Sequence, residues 1–398
     1  MARPVRELTT GVNRLQRLVA SNTILLIVVL DMVARATPPG GLVRAVLNLA
    51  QIAIVTAAVP LRLLLRKDLL PLNVLLGLAV GYMMLIGVAS SDIGFTYNYV
   101  LKYLAIGLCF LVGYGAGMRG DAKAFKQFNV LMVAVFVYLL TVNIFGYGEP
   151  IYEGQRVSFG DLDAPLVYVA IVSIVLYVWG NRSKQYQVLM LPIVVSLFVL
   201  FVGVARRTFI LLLIAAVLVY VMDRDLRRRH KKVLVNGFLA LALFYPAWSP
   251  LVAEAFEVRQ GARTSAAVVL AEPRILEHFW AYEQVRTSGY QLAVGSGELF
   301  NSKGRYGFWD PDRYMHADLS RLLFGGGLIL VSLYLAYTTL LVRYALQGAG
   351  QNKVYSKYMK YSAIALVLAL VPGSVTFLSF KGALLYIVGY GKALRDTS

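Results

Sequence analysis

Long apolar runs separated by short polar connections make up most of the chain, and the pattern changes character at length only between Leu251 and Ala317. The runs fall near residues 19–36, 42–65, 69–90, 95–117, 125–145, 166–180, 187–205, 207–222, 233–250, 319–343, 359–377 and 380–394. Most are close to the roughly 20 residues an α-helix needs to cross a hydrocarbon core of about 30 Å. Within lipid a helix satisfies all of its backbone hydrogen bonds internally. The pattern therefore predicts an all-α polytopic membrane protein with about 12 transmembrane helices. Residues 1–250 hold the first nine spans, residues 251–318 form a large extracytoplasmic (periplasmic) loop, and residues 319–398 hold the last three.

Inside the polar stretch, Glu272-Pro273 starts a helix, because proline is favoured at the first helical position. Ile275, Leu276, Phe279, Tyr282 and Val285 then recur at spacings of three and four. This helix is expected to lie on the membrane surface and to end near Ser288-Gly289, with Gly295-Ser296-Gly297 making a tight turn behind it. His316-Ala317-Asp318 follows directly before the tenth span, and Asp318 is expected to cap that helix, with Arg321 one turn on. Gly325-Gly326-Gly327 inside the span suggests a close helix approach or a bend.

Composition agrees with the pattern: 59% of residues are hydrophobic. The first run begins near Val19 with no small-residue cleavage site behind it, so Met1 to Arg17 is expected to be a basic cytoplasmic leader and the run a retained span. The one cysteine, Cys109, excludes internal disulfides and a thiolate metal cluster.

The formal charge of +18 could point to nucleic acid, but most cations sit in short connections between apolar runs. Arg62, Arg66 and Lys67, then Arg119, Lys123 and Lys126, then Arg182 and Lys184, occupy alternate connections. So do the cluster from Arg224 to Lys232 and the group Arg343, Lys353, Lys357 and Lys360. By the positive-inside rule both termini are cytoplasmic, and these cations meet anionic lipid head groups.

The other connections are mostly short and nearly free of cations, and three depart from that pattern: the long stretches Gly146 to Pro165 and Leu251 to Ala317, and the turn at Arg206-Arg207. Gly146 to Pro165 is rich in Gly, Pro and Asp, reads as a structured loop and carries Arg156. Arg206 and Arg207 fall at a tight extracytoplasmic turn where positive charge is disfavoured. They either snorkel to lipid phosphates or hold an anionic ligand at the outer leaflet. Arg274 sits in the first turn of the loop helix, where free N–H groups, the helix dipole and a guanidinium converge on one point suited to a phosphate. His316 would sit at the mouth of the tenth span, where an ordinary surface histidine is the plainer reading.

There is no HExxH, P-loop, paired Cys/His cluster or nucleophile elbow. Asp31, Lys102 and Lys381 are the candidate intramembrane charges, and they form no evident relay. Metal-independent chemistry without a cofactor is expected.

Several segments together resemble the O-antigen polymerase and O-antigen ligase superfamily of bacterial membrane glycosyltransferases. They are RVSFGDLDAP at 156–165, ARRTFILLL at 205–213, RILEHFW at 274–280 with VGSGE at 294–298, and above all HADLSRLLFGGGLILVSLYL at 316–335. Two positions depart from the pattern: Ala317 replaces a polar residue, and Phe324-Gly325 stands where an acidic residue often appears. The resemblance implies a GT-C-like fold in the bacterial inner membrane with a periplasmic active site. It also implies a donor glycan on undecaprenyl diphosphate and transfer to a sugar hydroxyl.

The acceptor is another lipid-linked repeat unit for a polymerase and the lipid A core for a ligase. The resemblance also implies a chain-length regulator protein as a further partner. The glycines after SRLL and the SYLAY continuation look more like the polymerases. On this reading His316 and Arg274 are catalytic. Arg206, Arg207, Arg156, Trp280, Arg286, Asp318 and Arg321 bind the diphosphate and glycan, and the reaction inverts the anomeric centre. The alternative from another class is a lipid-linked oligosaccharide flippase or transporter, which predicts internal repeats and charged groups at mid-membrane.

Overall fold

The computed structural model describes residues 22–31, 33–34, 42–121, 149–150, 157–158, 273–299, 303–304, 313–315, 317–368 and 378–398. They belong to two units, one of residues 1–130 and 270–398 and one of residues 131–269. The expected spans from 125–145 to 233–250 lie outside the described residues, as do Arg156, Arg206, Arg207 and His316.

Among the described residues of the first unit the helices are α1 (Asn22–Asp31), α2 (Leu42–Ala58), α3 (Leu70–Ile86), α4 (Ile93–Met118), α5 (Pro273–Val285), α6 (Gly289–Val294), α7 (Asp318–Gln347), α8 (Lys353–Leu368) and α9 (Leu378–Asp396). A two-residue antiparallel pair, β3 (Lys303–Gly304) with β4 (Arg313–Tyr314), precedes α7. In the second unit the described residues are β1 (Glu149–Pro150) and β2 (Val157–Ser158), paired antiparallel with Glu149 opposite Ser158. The segment expected to be a structured loop thus contains a strand pair.

Among the described residues, three stretches are long and apolar enough to cross a membrane: Leu70–Ala89, Thr96–Met118 and Asp318–Gln347. They coincide with the expected spans at 69–90, 95–117 and 319–343. The span expected at 42–65 differs. The helix stops at Ala58, and the chain turns through Pro60 (φ −71°, ψ 108°) into a 3₁₀ turn at Leu61–Leu63. Proline has no N–H to continue the ladder and its ring crowds the preceding carbonyls, so the apolar run is cut by backbone chemistry that hydropathy does not register. Asn73 Nδ2 then donates to the carbonyls of Leu63 and Leu64, both at 3.0 Å, which holds the turn against α3.

α4 and α9 form the closest packed pair. A Cβ at Gly113 would lie 2.1 Å from the Tyr386 carbonyl oxygen, and one at Gly389 would lie 2.0 Å from that of Phe110. Gly117 repeats the arrangement four residues on, against Tyr390. Small residues at this spacing let two backbones touch, so packing can proceed without a hydrophobic driving force. Around this seam Phe110, Leu111, Val112, Leu384, Ile387 and Val388 are buried.

One end of the bundle is closed by polar groups. Arg66 Nε meets Asp68 Oδ1 at 2.7 Å, and the Tyr114 hydroxyl donates to Asp396 Oδ2 at 2.8 Å. Lys392 Nζ reaches the same carboxylate oxygen at 2.8 Å and lies over the Tyr344 ring. Burial alone would raise the Asp396 pKa, but hydrogen bonds from Lys392 and Tyr114 outweigh it and hold the group below the usual carboxylate value. These contacts join the approach to α3 with the ends of α4, α7 and α9.

Candidate functional site

The second polar concentration lies where α5, α6 and the loop after α6 pack on the first half of α7. α5 begins at Pro273, as the sequence predicts, and places Arg274 in its first turn. The side that faces α7 is lined by Glu277, Ala281 and Val285, spaced by four and at most 2% exposed. Phe279 and Tyr282, expected on one apolar stripe with Val285, are exposed instead. One face of the helix packs and another apolar face remains open.

α5 ends at Val285, three residues before the expected stop. Ser288 begins a new helix, because its Oγ accepts from Gln291 N at 3.0 Å. Ser288 and Gln291 stand at the positions of a capping box, a signal present in the sequence.

α7 begins differently from expectation. Ala317 occupies the cap position (φ −83°, ψ 136°), and Asp318 is the first helical residue. The Asp318 carboxylate is not a cap; it forms a buried ion pair with Lys381 of α9. A buried ammonium without a counter-charge is far costlier than a solvated helix end, so the carboxylate goes to the lysine. Two more charged side chains hold the residues just before. Ala317 N donates to Glu277 Oε1 at 2.6 Å, and Arg321 Nε donates to the Met315 carbonyl at 2.5 Å. Ser320 Oγ lies 2.9 Å from His278 Nδ1, and Trp280 packs on Phe324 with ring centroids 5.3 Å apart.

Further along, α7 is broken. Gly327 has φ 61° and ψ −166°, a conformation essentially restricted to glycine. The carbonyls released at the break are taken up by neighbours. Phe324 O accepts from Ser296 N at 2.8 Å and from Ser296 Oγ at 3.0 Å. Gly325 O accepts from Gly297 N at 2.8 Å, and Gly326 O from the Tyr82 hydroxyl at 3.3 Å.

Gly295 and Gly297, at φ 82° and 83°, form the tight turn expected there. A Cβ on Gly295 would meet the Gly325 carbonyl at 2.5 Å. The glycine triplet therefore supplies both a close approach and a bend. Glu298 extends the contact: its carboxylate accepts from Ser90 Oγ at 3.0 Å and from Ser91 N at 2.5 Å. The connection between α3 and α4 and the VGSGE segment are thus directly bonded.

Of the residues nominated from sequence, Trp280, Asp318 and Arg321 come together at the start of α7. Asp318 and Arg321 are buried and bonded within the protein. Arg286 is exposed and pairs with Glu283 at 2.5 Å, away from that cluster's interior. Glu277, His278, Ser320, Tyr82 and Glu298 join the site only in the structure. From sequence Lys381 is an intramembrane charge in need of a partner, and the structure identifies that partner as Asp318. Beside the ion pair is an apolar cavity of about 50 Å³ lined by Leu76, Met83, Tyr103, Tyr334 and Lys381. No known family model and no curated protein matches the chain.

Proposed function

We propose that the chain is a polytopic glycosyltransferase of GT-C-like architecture with about 12 spans. It polymerises undecaprenyl-diphosphate-linked oligosaccharide repeat units at the outer face of the bacterial inner membrane, with both termini in the cytoplasm. The acceptor hydroxyl attacks the anomeric carbon of the donor glycan, its proton passes to the His316 imidazole, and the glycosyl–oxygen bond to the diphosphate breaks. The diphosphate leaves on the polyprenol, and in-line attack inverts the anomeric centre. Negative charge develops on the leaving oxygen and Arg274 is assigned to offset it, with Arg206 and Arg207 the other candidates from sequence for the diphosphate. The imidazole takes this proton as a neutral general base.

The observation that supports this reading best is the hydrogen bond from Ala317 N to Glu277 Oε1. It ties α5, which carries Arg274 in its first turn, to Ala317, the neighbour of His316 in the chain; Arg274 and His316 are the two residues assigned to catalysis. The test is deletion of the gene, with surface glycan and lipid-linked intermediates resolved on gels. A single capped repeat unit is expected. Unattached lipid-linked polymer would make the chain a ligase instead. Complementation with His316→Ala or Arg274→Ala should leave the deletion pattern unchanged while the variant inserts normally; wild-type glycan from both would sink the assignment.

A further inference from the structure

The start of α7 is held by charged groups from three helices. Within the four residues 315–318, the Met315 carbonyl is taken by Arg321, the Ala317 N–H by Glu277 of α5, and the Asp318 carboxylate by Lys381 of α9. Glu277, Asp318 and Lys381 are at most 4% exposed and Arg321 is 8% exposed. The Met315 carbonyl and the Ala317 N–H belong to the two peptide groups on either side of position 316, so a charged side chain fixes each.

Stability alone does not account for this arrangement. Desolvating an ion pair offsets most of its attraction, and an apolar pair of similar volume is often as stable or more so. What charged hydrogen bonds give that apolar contacts do not is direction and length. Apolar packing is non-directional and does not by itself fix where a backbone group points. A group that accepts a proton in a transfer reaction must lie within a fraction of an ångström of its working position.

We propose that Glu277, Arg321 and the Asp318–Lys381 ion pair are positioning residues that hold Met315, Ala317 and Asp318, the residues flanking His316, for glycan transfer. The proposal rests on the function set out above and assigns Lys381 and Glu277 a part in it. None of the four touches the reacting atoms in this role. They act through the backbone that carries His316.

The test uses the full-length chain purified in detergent, with polyprenyl-diphosphate-linked repeat units isolated from a host strain that lacks the chain. The double variant Asp318→Leu with Lys381→Met removes both charges together and leaves none unpaired. It should unfold within a few degrees of the parent yet lose about 10²-fold in kcat with KM little changed, since misplacement by about 1 Å has that effect. Glu277→Leu should lose a similar factor. Glu277→Gln, whose amide oxygen can still accept the Ala317 N–H, should recover most of it.

A folded double variant with parental kcat, or a loss confined to KM, overturns the proposal. If the double variant does not fold, the Glu277 pair decides: equal activity of the Leu and Gln variants overturns it. Full activity of His316→Ala in the same assay overturns the proposed function and this inference with it. An inactive His316→Ala beside a fully active double variant overturns this inference alone.

Discussion

Two glycine-lined seams in the same unit use glycine in opposite ways. Along α4 and α9, Gly113, Gly117 and Gly389 stay helical, and their missing side chains let carbonyls of one helix sit where a Cβ of the other would be. Along α7 and the turn after α6, Gly327 leaves the helical region altogether, and the freed carbonyls of Phe324, Gly325 and Gly326 are bonded to Ser296, Gly297 and Tyr82. In the first seam glycine removes an obstacle. In the second it supplies a backbone conformation, and the polar groups so exposed must then be satisfied. The first arrangement joins two continuous helices, whereas the second makes a short, separately anchored half-helix, and the candidate site lies at that half-helix.

The largest expected effect comes from the second seam. Gly327→Ala places a side chain on a backbone at φ 61° and 2.3 Å from the Ala293 carbonyl. Strain of about 1 to 3 kcal/mol and overpacking of about 1 to 3 kcal/mol act together there, so unfolding in mixed micelles should show a loss near 4 kcal/mol. Gly113→Ala should lose less, about 2 kcal/mol, because the overpacking against Tyr386 is partly offset by alanine's helix propensity. If Gly113→Ala proved the more damaging of the two, the conformational reading of Gly327 would fail and both seams would be simple close contacts.

The sequence distinguishes these seams only in part. Three consecutive glycines at 325–327 signal that something other than a smooth helix is needed, and the turn at Gly295-Ser296-Gly297 is legible for the same reason. That the two glycine clusters bind each other is not legible, because nothing local relates residues 28 positions apart in the chain. The α4 glycines at 113 and 117 have the spacing of a helix contact, yet their partner lies on α9. Helix existence for α3, α4 and α7 follows from apolar length alone. The end of α2 does not, since hydropathy runs on past Pro60 while the backbone cannot. At the start of α7, Asp318 has the look of a cap, and only the position of Lys381 on a distant helix redirects it.

A finer test of the second seam is Tyr82→Phe. The hydroxyl reaches Val294 O at 3.1 Å and Gly326 O at 3.3 Å, so it bonds α6 and the break in α7 to α3. Its removal should lower stability by about 1 kcal/mol, the usual net value of one hydrogen bond. The loss should show in hydrogen exchange of the 293–299 amides before it shows in global unfolding. Unchanged exchange there would mean that the two serine and glycine donors alone hold the broken helix.

The smallest effect sharpens the comparison most. Gly81 is a helical glycine in α3 with no atom within 4 Å of an added Cβ. It therefore lacks both justifications: no backbone approaches it and its conformation is ordinary. Gly81→Ala should stabilise the protein, by up to about 1 kcal/mol, through propensity alone. The same substitution then has two signs and three sizes at three glycines on three helices, set by strain at Gly327, by contact at Gly113 and by neither at Gly81. A clear loss of stability in Gly81→Ala would show that another helix covers this face of α3 in the membrane, and would add a third seam to the two described.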